Sequence, residues 1–147
     1  MSSSATYVQI PGAFGDYYQA QGYSHAVIIP ANARLVCTAG EPGLDLTTGK
    51  FPTDPAKQIE ACLDNCDAAL RAAGITKGLG QAHKVLCFLT DTSLESLLME
   101  IWRRRYPDQR PAFATVGTSS LVAKDMIIEM LVEAYLVDDD GSTTTKL

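Results

Sequence analysis

Five side chains of this sequence are suited to moving protons: Tyr23, His25, Glu41, Glu129 and Glu133. An imidazole titrates near neutrality, so His25 can give or take a proton under ordinary conditions. Glu41 can act as a base or orient a substrate, and Tyr23 can donate a hydrogen bond. With polar donors for developing charge, such a set permits acid–base chemistry on a small molecule. Each residue also has a structural reading. His25 can begin a strand, Glu41 can be a solvated turn acid, Tyr23 can be packing, and the two late glutamates can face solvent or an ion pair. His83, beside Lys84 at the start of a strand, reads as structural.

The elements that must hold these groups follow from patterning. The late stretches 110–117 and 126–137 read as two strands, because Thr115, Val116, Ile127, Ile128 and Val132 favour extended backbone. Glu129 and Glu133 interrupt an otherwise apolar run. Four apart in a strand, they share one face. Two acids there are costly unless paired, hydrogen-bonded or lining a wet pocket. Earlier, 7–10 reads as a short strand, 11–22 as an irregular Gly- and Tyr-rich loop, and 26–30 with 34–38 as a hairpin. The segment Ala39-Gly40-Glu41-Pro42-Gly43 ends that hairpin, and its glycines allow close approach of a ligand.

Asp54-Pro55 starts the clearest helix, with a cap and a first-turn proline. Its apolar face is Ile59, Cys62, Leu63, Cys66, Leu70, and Gly74 closes it. A strand over 82–89 follows, then a second helix opened by a capping box at Thr92 to Glu95 and ended by Pro107. The resulting order, ββ, α, β, α, ββ, predicts an α+β domain over 1–137 with a polar, disordered tail over 138–147. Two helices cover one sheet face only. The apolar run 85–89 requires cover on the other, and self-association supplies it economically.

Composition narrows the partners. The 147 residues carry a formal net charge of −5, which argues against a nucleic-acid binder. Arg103-Arg104-Arg105 reads as a solvated or ion-paired helix end. The first residues lack a signal-peptide core, and no apolar run approaches the roughly 20 residues of a membrane span. A cytoplasmic protein without membrane partners is expected. Cys37, Cys62, Cys66 and Cys87 read as reduced core residues, with no metal and no cofactor implied.

Tyr23-Ser24-His25-Ala26, Thr38-Ala39-Gly40-Glu41, Thr48-Gly49, Ala72-Ala73-Gly74, His83-Lys84-Val85, Phe88-Leu89-Thr90-Asp91 and Arg110-Pro111-Ala112, in that order, resemble the RidA/YjgF family. The resemblance covers roughly 20–137. It implies a chorismate-mutase-like fold, a mixed sheet with two helices on one face, and a homotrimer with pockets between subunits. Typical members hydrolyse reactive enamines and imines to keto acids and ammonia, so a small-molecule substrate is implied.

Carried over residue by residue, the pocket tyrosine falls at Tyr23 or in the tyrosine-rich stretch before it, which includes Tyr18. The usual glutamine two residues on is His25. The serine before the strand-end glycine is Ala39, and Gly40 is kept. The substrate-carboxylate arginine falls on Phe113. The pocket glutamate lies at Glu129, Leu131 or Glu133, the most direct alignment giving Leu131. Cys87 joins the binding set, although a thiol at a strand centre is usually inert. A phenyl ring cannot make the two charge-assisted bonds of a guanidinium to a carboxylate. The implied pocket therefore takes a larger, less charged or aromatic substrate. The alternatives are a biosynthetic cyclase, tautomerase or dehydratase on this scaffold, and a non-catalytic ligand-binding trimer.

Overall fold

A computed structural model describes residues 4–138. The tail expected over 138–147 falls outside it, apart from Asp138. Ten principal elements occur: β1 (Thr6–Val8), α1 (Ala13–Gln21), β2 (Ala26–Ile28), β3 (Ala33–Cys37), β4 (Glu41–Pro42), α2 (Pro55–Ala72), β5 (Ala82–Leu89), α3 (Glu95–Arg105), β6 (Ala112–Gly117) and β7 (Ile128–Val137). Short 3₁₀ turns at Gly78–Gln81 and Thr92–Leu94 precede β5 and α3. The main sheet runs β3-β7-β5-β6, with β4 also on β7. Only the β5–β6 pair is parallel among its neighbours, and α2 and α3 form the crossovers and helix layer. This is the expected α+β domain with a mixed sheet.

Alternation along the strands separates two faces. Ile128, Met130, Val132 and Ala134 of β7 and Val85, Cys87 and Leu89 of β5 are buried. They meet Ile59, Cys62, Leu63, Cys66 and Leu70 of α2 and Leu98, Ile101 and Trp102 of α3 in one core. The opposite face carries Glu129, Leu131 and Glu133 of β7. Within the single chain it leaves Leu35, Leu131 and Val116 exposed.

Three sequence expectations are corrected. Residues 13–21 form α1 rather than an irregular loop. Glycines give this short helix both ends, with Gly12 at φ 99° before it and Gly22 at φ 109° after it. Gly15 is required too, since a Cβ there would lie 1.9 Å from the Ile10 carbonyl oxygen. The hairpin of β2 with β3 does not form. Instead β2 pairs antiparallel with β1, and β3 pairs with β7. The Pro30-to-Ala33 turn expected between them is present, through the Ala33 N–H to the Pro30 carbonyl, but it passes the chain from one sheet to the other. Finally, Asp91 rather than Thr92 caps the approach to α3, accepting the Ser93 N–H at 2.9 Å.

Within the described part, the Ala5 N–H donates to Tyr135 Oη at 2.7 Å, which ties β1 to β7. Cys37 is exposed rather than a core residue, while Cys62, Cys66 and Cys87 are buried thiols. Two of the three arginines are ion-paired: Arg104 and Arg105 both reach Glu60, and Arg105 also reaches Asp64, while Arg103 donates to the Gln21 carbonyl. Burial works against the Glu60 carboxylate, but the bonds from Arg105 and Arg104 hold it below its usual range. Among the described residues no helix is long and apolar enough to cross a membrane.

The start of β7 is set by Gln58 of α2, a buried amide. Its Nε2 donates to the carbonyls of Pro52 and Asp125 at 2.9 and 3.0 Å, and its Oε1 accepts the Ile127 N–H at 2.7 Å. Gln58→Leu strands three backbone groups in an apolar setting. It should lower unfolding free energy by about 2–4 kcal/mol, read from urea midpoints. A loss under about 0.5 kcal/mol, the range of an ordinary surface change, would contradict this role.

Candidate functional site

The site candidates separate into three groups on the fold. The first is the strand end at Gly40. Cys37 pairs with Glu133 and Glu41 with Met130. Three residues, 38–40, thus stand opposite two, an added residue of the kind that forms a β-bulge. Thr38 fixes this bend: its Oγ1 accepts the Val132 N–H at 3.0 Å and donates to the Ala39 carbonyl at 2.7 Å. Glu129 sits directly over Gly40. A Cβ on Gly40 would stand 2.6 Å from Glu129 Oε1, so only glycine leaves this carboxylate its place. Of the three positions weighed for the pocket glutamate, the fold brings Glu129 to Gly40. Leu131 occupies the same face one alternation further along. Ala39 is exposed beside them.

Glu41 does not join this group. Its cross-strand partner is Met130, a core residue, so Glu41 points to the helix side while Glu129 points away. Burial raises its carboxyl above the usual range. Its backbone carbonyl accepts the Cys62 thiol. Cys87 is also on the helix side and fully buried, and burial pushes its thiol far up. Neither placement brings these two residues to the Glu129 carboxylate.

The second group is aromatic and lies at the β6 edge. Ser24 joins the chain to that edge, its N–H and Oγ donating to the carbonyls of Pro111 and Arg110. This sets Tyr23 and His25 on either side. Tyr18 stacks on His25 with centroids 3.7 Å apart, and Tyr18 meets Tyr23 edge-on at 4.8 Å. Burial raises the Tyr23 hydroxyl above its ordinary value. Phe113 pairs with Val85 and so faces the helices, wedged between Trp102 at 5.5 Å and Tyr23 at 6.2 Å. Arg110 is no replacement guanidinium for it. Its Nε donates to the carbonyl of Gln19 and its Nη1 to those of Pro107 and Gln109.

The third group lies on the open face beside β3. Glu133 Oε2 is 3.4 Å from His83 Nε2. A cavity of about 150 Å³ is lined there by Cys37, Thr38, Lys84, Leu86, Leu131 and Glu133, among others. A larger groove between 44–53 and α2 contains none of the site candidates.

Within one chain, Glu129 and the Tyr23–His25 group are kept apart. β5 and β6 intervene between β7 and the edge at Ser24, three strand spacings or roughly 14 Å. Sequence reasoning missed Gln9, whose amide bonds both His25 and the Tyr23 carbonyl. A lone glutamine at a strand end gives no sequence signal for such a role.

The chain was compared with known proteins. Residues 16–136 match the family described as Endoribonuclease L-PSP. RutC family protein UK114 of Drosophila melanogaster is 30% identical over 125 residues, covering 84% of this chain and 83% of that protein. TdcF of Escherichia coli strain K12, named as a candidate reactive intermediate deaminase, is 24% identical over 127 residues, covering 86% and 90%. Among solved structures, the Rid-family protein YyfB of Yersinia pestis superposes with a TM-score of 0.76 at 19% identity, covering 90% of this chain and 99% of that one.

The third group yields a pH prediction. Burial lowers the His83 pKa from its ordinary 6.5, and the Glu133 carboxylate offsets this only in part. The unfolded chain therefore binds the proton more readily than the folded one. Stability from this residue is complete above the unfolded value and is lost as pH falls through the folded value. His83→Gln should flatten the fall in stability just below pH 6.5, followed by urea unfolding at a series of pH values. An unchanged slope would count against this linkage.

Proposed function

The chain belongs to the Endoribonuclease L-PSP family as a divergent RidA/YjgF member, and from that premise we propose that it is a small-molecule enzyme working by acid–base chemistry on an imine, an enamine or a similarly activated intermediate. The carrying observation is the Glu129 carboxylate held over Gly40 at a bulged strand end. That acid lies on the face left open in a single chain. The reading places the completed pocket between copies of the chain, with Glu129 from one copy and the Tyr23–His25 edge from another. A homotrimer is the assembly proposed for this. The name of TdcF as a reactive intermediate deaminase supports imine hydrolysis as the reaction class.

The substrate range is proposed to differ from that of members with an arginine at position 113. Phe113 sits between Trp102 and Tyr23, with Tyr18 beyond Tyr23, and the Nε and Nη1 of the nearby Arg110 donate to backbone carbonyls. An edge of this kind offers aromatic area and no cation for a carboxylate. It favours an uncharged or aromatic imine. The same observation supports a second reading, a biosynthetic cyclase, tautomerase or dehydratase acting on an uncharged intermediate. The family description as an endoribonuclease draws no support from the charge of −5.

A competition assay in semicarbazide tests this. Imines generated in place are captured unless the protein hydrolyses them first. Wild type should protect an uncharged aryl imine, and it should leave a 2-imino acid to be captured. Phe113→Arg should improve 2-imino acid hydrolysis by at least about tenfold, a modest share of the worth of a charge-assisted pair. Equal wild-type rates on both substrates would sink the specificity proposal. No hydrolysis of either by wild type or variant would turn the reading toward cyclisation or tautomerisation.

A further inference from the structure

His25 is gripped on its faces and along its edge. Tyr18 stacks against the ring with planes 4° apart, and Phe14 meets it edge-on at 4.6 Å. The edge contact is made by Gln9. Gln9 Oε1 accepts the His25 backbone N–H at 3.2 Å. Gln9 Nε2 donates to the Tyr23 carbonyl at 2.9 Å and to Gln19 Oε1 at 3.0 Å. A backbone N–H can only donate and a backbone carbonyl can only accept. The two main-chain partners therefore fix which end of the amide is which, and the amide cannot be turned over.

That orientation decides the imidazole. Gln9 Oε1 lies 3.1 Å from His25 Nδ1. Two bare acceptors at that distance repel, so the contact is favourable only when Nδ1 carries a hydrogen. The Ile10 N–H points toward the same nitrogen at 3.4 Å and favours the opposite form, but it is the longer contact. With the hydrogen on Nδ1, neutral His25 keeps its lone pair on Nε2. Nε2 is shut off from solvent and has no hydrogen-bond partner among the described residues.

We propose that Gln9 is a positioning residue that fixes neutral His25 as the Nδ1–H tautomer and so makes Nε2 a proton-accepting atom of the site. The catalytic use of Nε2 rests on the acid–base reading given above. In imine hydrolysis Nε2 takes one proton from water as the water oxygen bonds to the imine carbon and the C=N π pair moves onto nitrogen, and the imidazolium returns that proton to the imine nitrogen, giving a carbinolamine. Transfer of the carbinolamine hydroxyl proton to the same nitrogen by way of Nε2 then breaks the C–N bond, forms the C=O bond and releases ammonia. Because Nε2 is shut off from solvent in the single chain, the step requires its cover to open.

The tautomer can be read without any substrate. Long-range ¹H–¹⁵N correlation spectra of the full labelled chain at about pH 8, where an ordinary imidazole is neutral, distinguish a protonated ring nitrogen from a bare one. The sequence has two histidines, so His83→Gln assigns the signals. Wild type should show Nδ1 protonated and Nε2 bare. Gln9→Leu should move His25 toward the Nε2–H form, whereas Gln9→Glu, which keeps the acceptor, should retain Nδ1–H. An Nε2–H pattern in wild type overturns the proposal, and so does a Gln9→Leu spectrum identical to wild type. If Gln9→Leu fails to fold, the wild-type spectrum alone decides. Failure of the imine assay with the tautomer as proposed would remove the catalytic reading and leave the Gln9–His25 assignment standing.

Discussion

Strand β7 is the constraint on which the rest of the structure depends. It is hydrogen-bonded to β3, β4 and β5, so its register fixes the whole sheet. Its alternation sends Ile128, Met130, Val132 and Ala134 into the core and Glu129, Leu131 and Glu133 to the other side. A slip of one residue would exchange the two sets, burying acids against α2 and α3. Gln58 prevents that slip by holding the Ile127 N–H and the Asp125 carbonyl at the entrance to the strand. The placement of Glu129 over Gly40 is thus a consequence of core packing as much as of local geometry.

The regular parts of this architecture were legible in the sequence because local and tertiary signals agree. Asp54-Pro55 and Gly74 bracket α2, and the steps of three and four between them name its buried face. The two late acids were placed on one sheet face by period-two alternation alone. What escaped has physical reasons. α1 buries only Gly15, so it has little apolar periodicity, and its glycines and tyrosines resemble a loop. The pairing of β2 with β1 and of β3 with β7 is set by tertiary contacts, whereas the turn at Pro30 to Ala33 is equally compatible with a hairpin.

Two of the residues that differ from what the resemblance implies, His25 and Phe113, lie in one aromatic chain. Phe113, Tyr23, Tyr18, His25 and Phe14 make a continuous aromatic chain from the core at Trp102 to the outer surface of α1. The phenyl ring of Phe113 finds aromatic partners on both sides in this chain. His25, in turn, lies where its ring is ordered by neighbours on the same edge. Within one chain, β5 and β6 stand between Glu129 and this edge.

Glu129, and not the other acid on its face, is proposed as the working carboxylate. The direct measurement is imine hydrolysis by Glu129→Gln and Glu133→Gln, each shown to have the wild-type mass in solution and the wild-type urea midpoint. The account predicts that Glu129→Gln loses a factor of about 10²–10⁴ in rate, the usual worth of a positioned acid or base, while Glu133→Gln stays within a few-fold of wild type. Full activity in Glu129→Gln, or a loss confined to Glu133→Gln, would contradict it.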